Sequence, residues 1–374
     1  MRFTVSSTAI SSKLNALSRV INSKNSLPIL SDFLFDIRDN VLHLTASDSE
    51  NVMKTQIDLT ESDSNGSFAI GNHNLLEAVK GFSEQPITFD VDMQSFIARI
   101  TYQNGLFSLP VENADEYPQP QAISDSTSEI VIPNGILAEN INRSLFATAQ
   151  DELRPVMNGL YFDLTPEHLA IVASDGHKLV RNKVLTIHTE QPASFILPKK
   201  PATLLKGLLG RDGGDVVIRF DERNAQIVYS DGELTCRLIE GRYPNYNSVI
   251  PQNNQNIVTV DRQTMINACK RVAVFANNGT AMLRLALSEN SIKISAQDID
   301  FSTSAEETIS CSYNGSPMAI GFKAPFLIDI LASLASTDVQ FKLSDPARAG
   351  LILPAENEEN EDVLMLLMPM LLND

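Results

Sequence analysis

Asp175 and His177 stand two residues apart in Val172-Ala-Ser-Asp-Gly-His-Lys-Leu-Val180, and a carboxylate beside an imidazole could set up a general base. A hydrolase built on that pair also needs a nucleophile. The chain has no Gly-x-Ser-x-Gly elbow, and Gly210-Arg-Asp-Gly-Gly-Asp215 lacks the Lys-Ser/Thr of a phosphate loop. His43, His73, His168, His177 and His188 show no His-x-x-x-His spacing, so no metal centre is expected. Cys236, Cys269 and Cys311 are far apart and odd in number, which argues against a zinc site or a disulfide framework and fits a reducing cytoplasm. No cofactor is expected. Asn142-Arg-Ser144 is read as a chance glycosylation match.

The elements around this stretch occur three times. Phe33 to Asp48 aligns without a gap on Leu160 to Asp175, and Leu283 to Asp298 matches both. Each reads as an alternating strand, a polar turn and a second strand ending on Ala-x-Asp, the pattern of a β-hairpin. Asp48 and Asp175 are 127 residues apart, and Asp175 and Asp298 are 123 apart. Such periods suit whole domains. Tyr117-Pro118, Tyr243-Pro244 and Met368-Pro369 follow the three aspartates at 70, 69 and 71 residues, where proline marks a strand end. Asp175 thus has counterparts and reads as a turn residue. Gly176-His177-Lys178 has none, because the other copies read Ser49-Glu50-Asn51 and Ile299-Asp300-Phe301. A triplet special to one repeat marks something that repeat alone does.

Apolar spacing and caps predict helices over Ser6 to Ile21, Gly71 to Ser83, Asn134 to Thr148, Pro198 to Gly210, Asp261 to Asn277 and Lys323 to Ala335. The fold class is α+β, with three repeated domains, each of two helices packed on β-sheets. Boundaries fall near Tyr117 to Ser128 and Pro251 to Asn256, giving domains 1–120, 128–250 and 257–374. The longest apolar run, Val363 to Leu372, is too short to span a membrane, and Met1-Arg-Phe-Thr-Val5 does not begin a secretory leader.

The net charge of −17 argues at first against nucleic acid. Its distribution argues the other way. The six helical segments carry eleven basic residues, Lys13, Arg19, Lys80, Arg143, Lys199, Lys200, Lys206, Arg262, Lys270, Arg271 and Lys323, against Glu77, Glu139, Asp261 and Asp329. That surplus of seven leaves a balance of −24 for the rest of the chain. Six helices in a circle at about 10 Å spacing would leave a bore of only about 9 Å, whereas twelve, from two chains, would leave about 28 Å, enough to thread a duplex.

Together "MRFTV", "SLPILSDFLFDI", "LRPVMNGLYFDL", "ASDGHKLV", "GRYPNYNSVIP" and the terminal "LLMPMLL" resemble, in this order and over the full length, the bacterial sliding clamps, the β subunits of DNA polymerase III. The resemblance implies the DNA clamp fold, closed as a head-to-tail dimeric ring. Such a ring encircles double-stranded DNA without reading sequence, is loaded by an ATP-driven clamp loader, and has no catalytic or exonuclease activity of its own. It implies a pocket for a Gln- and Leu/Phe-containing peptide of the replicative polymerase, the loader and repair proteins, between domains 2 and 3. Arg154, Met157, Ser174, Gly176, His177, Lys178, Leu179, Pro244, Val249, Leu366, Met368, Pro369, Met370 and Leu371 would form it. Leu371 stands where the family usually has Arg, so one polar contact to the peptide is not carried over. Methionines suit a pocket that accepts several partners, since the thioether repacks easily. Lys24, in the loop before Leu27-Pro28, matches a DNA-touching position. With it, Lys13, Lys80, Arg143, Lys199, Lys200, Lys206 and Lys270 would meet phosphates. Phe107 and Leu109 would face Val274 and Phe275 of a second copy. The competing readings are a hydrolase using Asp175 and His177, and an acidic scaffold that touches no DNA.

Overall fold

The computed structural model describes residues 1–25, 27–118, 123–124, 127–210 and 213–372. Part of the expected first boundary, including the end of domain 1 at residue 120, lies outside the described residues, as do Arg211, Asp212 and residues 373–374.

Six α-helices occupy the expected segments: α1 (Ser7–Leu17), α2 (Asn72–Lys80), α3 (Asn134–Ser144), α4 (Lys199–Leu208), α5 (Arg262–Ala273) and α6 (Ala324–Ser333). Each is shorter than its predicted range because the sequence pattern counted cap residues and following turns. Ser6 Oγ accepts the Ala9 N–H at 3.2 Å and starts α1, while Asp261 Oδ1 accepts the Thr264 N–H at 2.7 Å and starts α5. The end of α3 tightens into a 3₁₀ turn at Leu145–Ala147. Buried stripes such as Ile10, Leu14 and Leu17 on α1 follow the helical period.

The chain divides into two compact units, residues 1–138 with 203–238, and residues 139–202 with 239–374. The first unit holds a thirteen-stranded sheet running from Ser128–Pro133 at one edge to Glu61–Ser62 at the other. Phe3, Phe35, Phe68 and Phe89 fill its core, with Phe3 stacked on Phe89 at 4.8 Å. α1 and α2 pack against each other here. The second unit holds an eight-stranded sheet, from Ala193–Pro198 to Asn256–Asp261, and a four-stranded sheet, from Thr303–Ser310 to Met318–Lys323. α5 and α6 pack together in that unit.

The three sequence repeats each open as a hairpin. Asp32–Arg38 and Val41–Ser47 are joined by Asp39 and Asn40, with φ of 50° and 65°, the left-handed pair that a two-residue hairpin turn requires. Gly159–Leu164 pairs with Leu169–Ser174, and Met282–Ser288 with Ser291–Asp298. The strand after each hairpin then shows why the repeats do not fold as separate sheets. Asn51–Asp58 pairs with Gly232–Arg237 of the next repeat, and Lys178–Val184 pairs with Glu361–Leu367 of the one after. The corresponding strand of the third repeat, Thr303–Ser310, is a sheet edge with no outer partner among the described residues. No helix among the described residues is long and apolar enough to cross a membrane.

Candidate functional site

The turn at Asp175 is built by its own side chains. Asp175 Oδ1 accepts the N–H groups of His177 and Lys178 at 2.8 and 2.9 Å. The Ser174 hydroxyl donates to the Lys178 carbonyl at 2.9 Å and accepts the Gly176 N–H at 3.1 Å. Gly176 takes a φ of 89°, the left-handed region where a side chain is strained, and Arg154 Nη1 occupies the space a Cβ would need. The same pair of amide bonds recurs at Asp48, from Glu50 and Asn51, and at Asp298, from Asp300 and Phe301. The repeated aspartate is a turn former.

Burial pushes the Asp175 carboxyl upward, but bonds from Lys178 Nζ and from the Lys178 and His177 amides outweigh it and hold the group below its ordinary value of 3.8. Its oxygens are thus taken up by the turn, while the His177 ring lies 6.3 Å from the Phe326 ring at an angle of 28°. The general base that a hydrolase would need is not assembled among the described residues.

Lys178 departs from its expected place in the pocket wall. Its side chain is 6% exposed, its ammonium is paired with Asp175, and it lies 4.0 Å above the centroid of Phe326 on α6. The charge is spent inside the second unit. Met157, Ser174, Leu179 and Leu366 are also buried and form a floor beneath the more exposed residues.

Over that floor several expected residues come together. Lys178 pairs with Leu367 and Leu179 with Leu366 across adjacent strands, and the Met368 N–H donates to the His177 carbonyl at 2.8 Å. Arg154 reaches the turn from the other side, donating to the Asp175 carbonyl at 3.4 Å while its Nε donates to Asp151 at 2.8 Å. The segment 243–250 packs Tyr243, Tyr246 and Ile250 onto the cluster that includes Leu179 and Leu366. That leaves Pro244 and Val249 exposed. Tyr243 stacks on Tyr161 at 4.6 Å, and the Tyr246 hydroxyl donates to Asp163 at 2.7 Å. Met368 and Leu371 are exposed, and Pro369 and Met370 half-buried. Sequence reasoning missed the two tyrosines, although "GRYPNYNSV" contains both. It missed Phe326 too, which no local pattern ties to residue 178.

The basic residues differ in how much charge they offer to solvent. Lys24, Lys206 and Lys270 are exposed and make no ion pair among the described residues. Lys13 pairs with Asp231 at 3.0 Å and Lys80 with Glu77 at 2.8 Å. Lys199 and Lys200 are half-buried at the start of α4. Arg143, expected to face DNA, instead has a side chain only 5% exposed, with its guanidinium bonded to Glu139 and, at 2.8 Å, to Glu361. It presents no free cation to solvent. Arg262 is likewise turned inward, donating to the Ser336 carbonyl at 2.7 Å.

Phe107 and Leu109 lie half-buried on Gly105–Glu112, which pairs with Ile97–Tyr102 on one side. On the other side only Val111 and Glu112 pair, with Ile70 and Ala69. Residues 105–110 therefore form an open edge among the described residues. Val274 and Phe275 follow α5, 77% and 40% exposed, as large apolar groups on the surface.

Three family models match the chain: the DNA polymerase III beta subunit N-terminal domain over residues 1–121, its central domain over 131–245 and its C-terminal domain over 247–370. The beta sliding clamp of Haemophilus influenzae is 30% identical over 99% of this chain and 100% of its own length. That of Escherichia coli K12 is 28% identical, also over 99% and 100%. A crystal structure of the Pseudomonas aeruginosa sliding clamp bound to griselimycin superposes with a TM-score of 0.94, at 27% identity and full coverage of both chains. The chain belongs to the DNA polymerase III beta subunit family, the sliding clamps, which are non-catalytic subunits of the polymerase.

Proposed function

We propose that two copies of this chain close head to tail into a ring around duplex DNA in the cytoplasm. There the ring tethers the replicative polymerase and other proteins that carry a clamp-binding peptide. The single observation that carries the ring is the sharing of strands between repeats. The strand after the first hairpin pairs with the second repeat, and the strand after the second hairpin pairs with the third. Thr303–Ser310 follows the third hairpin and has an open edge, and Gly105–Glu112, paired with Ile97–Tyr102 on one side, is the strand of the first repeat whose other edge is open along 105–110. Joining these two edges between copies continues the pattern, brings Phe107 and Leu109 toward Val274 and Phe275, and covers both of these open edges.

The repeats act as domains 1–120, 128–250 and 257–374. Within each ring Lys24, Lys206 and Lys270 supply exposed cations for phosphates, and Lys13, Lys80, Lys199 and Lys200 add to them. Exposed Met368, Leu371, Val249, Pro244 and His177, with Met370, Pro369 and Arg154 around them, form the surface for the partner peptide. Its apolar character suits the Leu/Phe end of that peptide.

Native mass spectrometry and retention on DNA test the reading together. A dimer near twice 41.1 kDa that stays on nicked circles after loading and leaves them on linearisation is the expected result. A monomer, or equal loss from both forms of DNA, removes the ring.

A further inference from the structure

Beyond the last strand, Glu361–Leu367, the chain is held at two points. The Met368 N–H donates to the His177 carbonyl at 2.8 Å, and the Met370 N–H donates to the Gly321 carbonyl, also at 2.8 Å. Met370 and Gly321 form an antiparallel bridge. Pro369 between them has no N–H to give. Glu361–Leu367 belongs to the eight-stranded sheet and Gly321 to Met318–Lys323, the edge strand of the four-stranded sheet. The tail therefore leaves one sheet of the second unit and lands on the edge of the other.

Gly321 is the landing point, and its backbone does not require glycine, since its φ is outside the left-handed region. What it supplies is space. A Cβ there would lie 2.9 Å from the Met370 carbonyl oxygen, 3.0 Å from Leu372 Cδ2 and 3.2 Å from Met282 Sδ. The two side chains can turn aside. The carbonyl is backbone, and moving it breaks the bridge.

We infer that Gly321 is a positioning residue for partner binding: by lacking a side chain it lets residues 370–372 latch onto the four-stranded sheet, and the latch holds Met368 and Met370 beside the Gly176–Lys178 turn. This rests on the reading of that surface as the peptide site. With the second anchor gone, Met370 would ride on a loose chain end, and the peptide would have to order it on binding. With the latch made, that ordering cost is met in the free protein.

The test is fluorescence anisotropy of a labelled Gln-Leu-x-Leu-Phe peptide on the full-length protein, with amide hydrogen exchange read at Met370. Gly321→Ala weakens the peptide about tenfold or more by loss of preorganisation, and speeds exchange at Met370 while exchange at Val180, within the neighbouring sheet, is unchanged. Wild-type affinity in Gly321→Ala, or weaker affinity with unchanged Met370 exchange, overturns the latch. Met368→Ala separates the two levels. If it too binds as wild type, the peptide-site reading fails. If it weakens binding while Gly321→Ala does not, the latch fails alone. The unaltered protein provides a measurement that no folding defect can spoil, because saturating peptide should slow Met370 exchange, and an unchanged rate overturns the latch.

Discussion

Lys178 Nζ lies 4.0 Å above the ring centroid of Phe326, so a residue of the second repeat is seated on a helix of the third. Asp175 holds the same ammonium from the other side. An exposed lysine would gain little from either neighbour, but this side chain is 6% exposed and is held between them. The part of the turn unique to the second repeat is thus locked from beneath, and its His177 carbonyl is fixed to receive Met368.

Asp175→Asn should lower stability by up to about 3 kcal/mol at neutral pH, because it removes the carboxylate paired with the buried ammonium and leaves only the more weakly placed Asp329 near it. The folded-state carboxyl titrates below its ordinary value of 3.8. Its contribution is therefore present above that value and is lost as the pH falls through the lower, folded-state value. Urea unfolding of both proteins at pH 7 and in the acid range below 3.8 checks the sign. A difference that grows on acidification would show that the carboxylate does not stabilise the turn.

Arg143→Met should destabilise the protein yet leave DNA behaviour as it was. Burial pushes the Glu139 carboxyl up, with Arg143 opposing that and Glu361 and Glu358 adding to it. Removing the guanidinium leaves the three neighbouring carboxylates of Glu139, Glu358 and Glu361 without it, at a cost of about 3–5 kcal/mol. Chemical denaturation reads the loss, and retention on loaded circles should match wild type. Faster loss from DNA at unchanged stability would return Arg143 to the DNA-facing set.

The contrast between Arg143 and Asp175 shows what the sequence can carry. Asp175 was legible because it recurs: three copies in one alignment column, each ending a hairpin, identify a turn that the amide bonds of Asp48, Asp175 and Asp298 then realise. The six helices were legible by period and caps, and their ends were not, since capping residues share the pattern. Arg143 was misread because charge on a helix says nothing about which side faces solvent, and its partner Glu361 lies 218 residues away. Phe326 and Gly321 escaped for the same reason. Each matters through a contact between segments that no local spacing connects.

Phe275→Asp should yield monomers that fold. Phe275 is 40% exposed in the single chain, so the carboxylate stays in water until a second copy approaches. Burying it at a seam against Phe107 and Leu109 would then cost several kcal/mol, enough to shift association by orders of magnitude. Sedimentation velocity of the variant and wild type decides. A dimer that withstands Phe275→Asp and a matching Phe107→Asp places the seam elsewhere.

The last expectation follows from the charge split. With −17 overall and a surplus of seven on the helical segments, direct DNA affinity should be weak, since the acidic remainder repels a polyanion. A ring held by topology still remains on a closed circle at salt that removes ordinary binders, because counterion release weakens only the contacts. Of the residues expected to face DNA, Lys24, Lys206 and Lys270 are the exposed ones with no ion pair among the described residues, so they should carry most of the phosphate attraction. Replacing all three with Ala should slow loading or change sliding and, with six lysines removed per two-copy ring, flatten its salt dependence by up to about five in the log–log slope. Retention on a loaded circle should barely change. The measurement is gel filtration of loader-assembled complexes on nicked circles before and after linearisation, over a salt series. Should the triple variant leave closed circles as quickly as linear DNA, the lysines and not the ring would be holding the protein on.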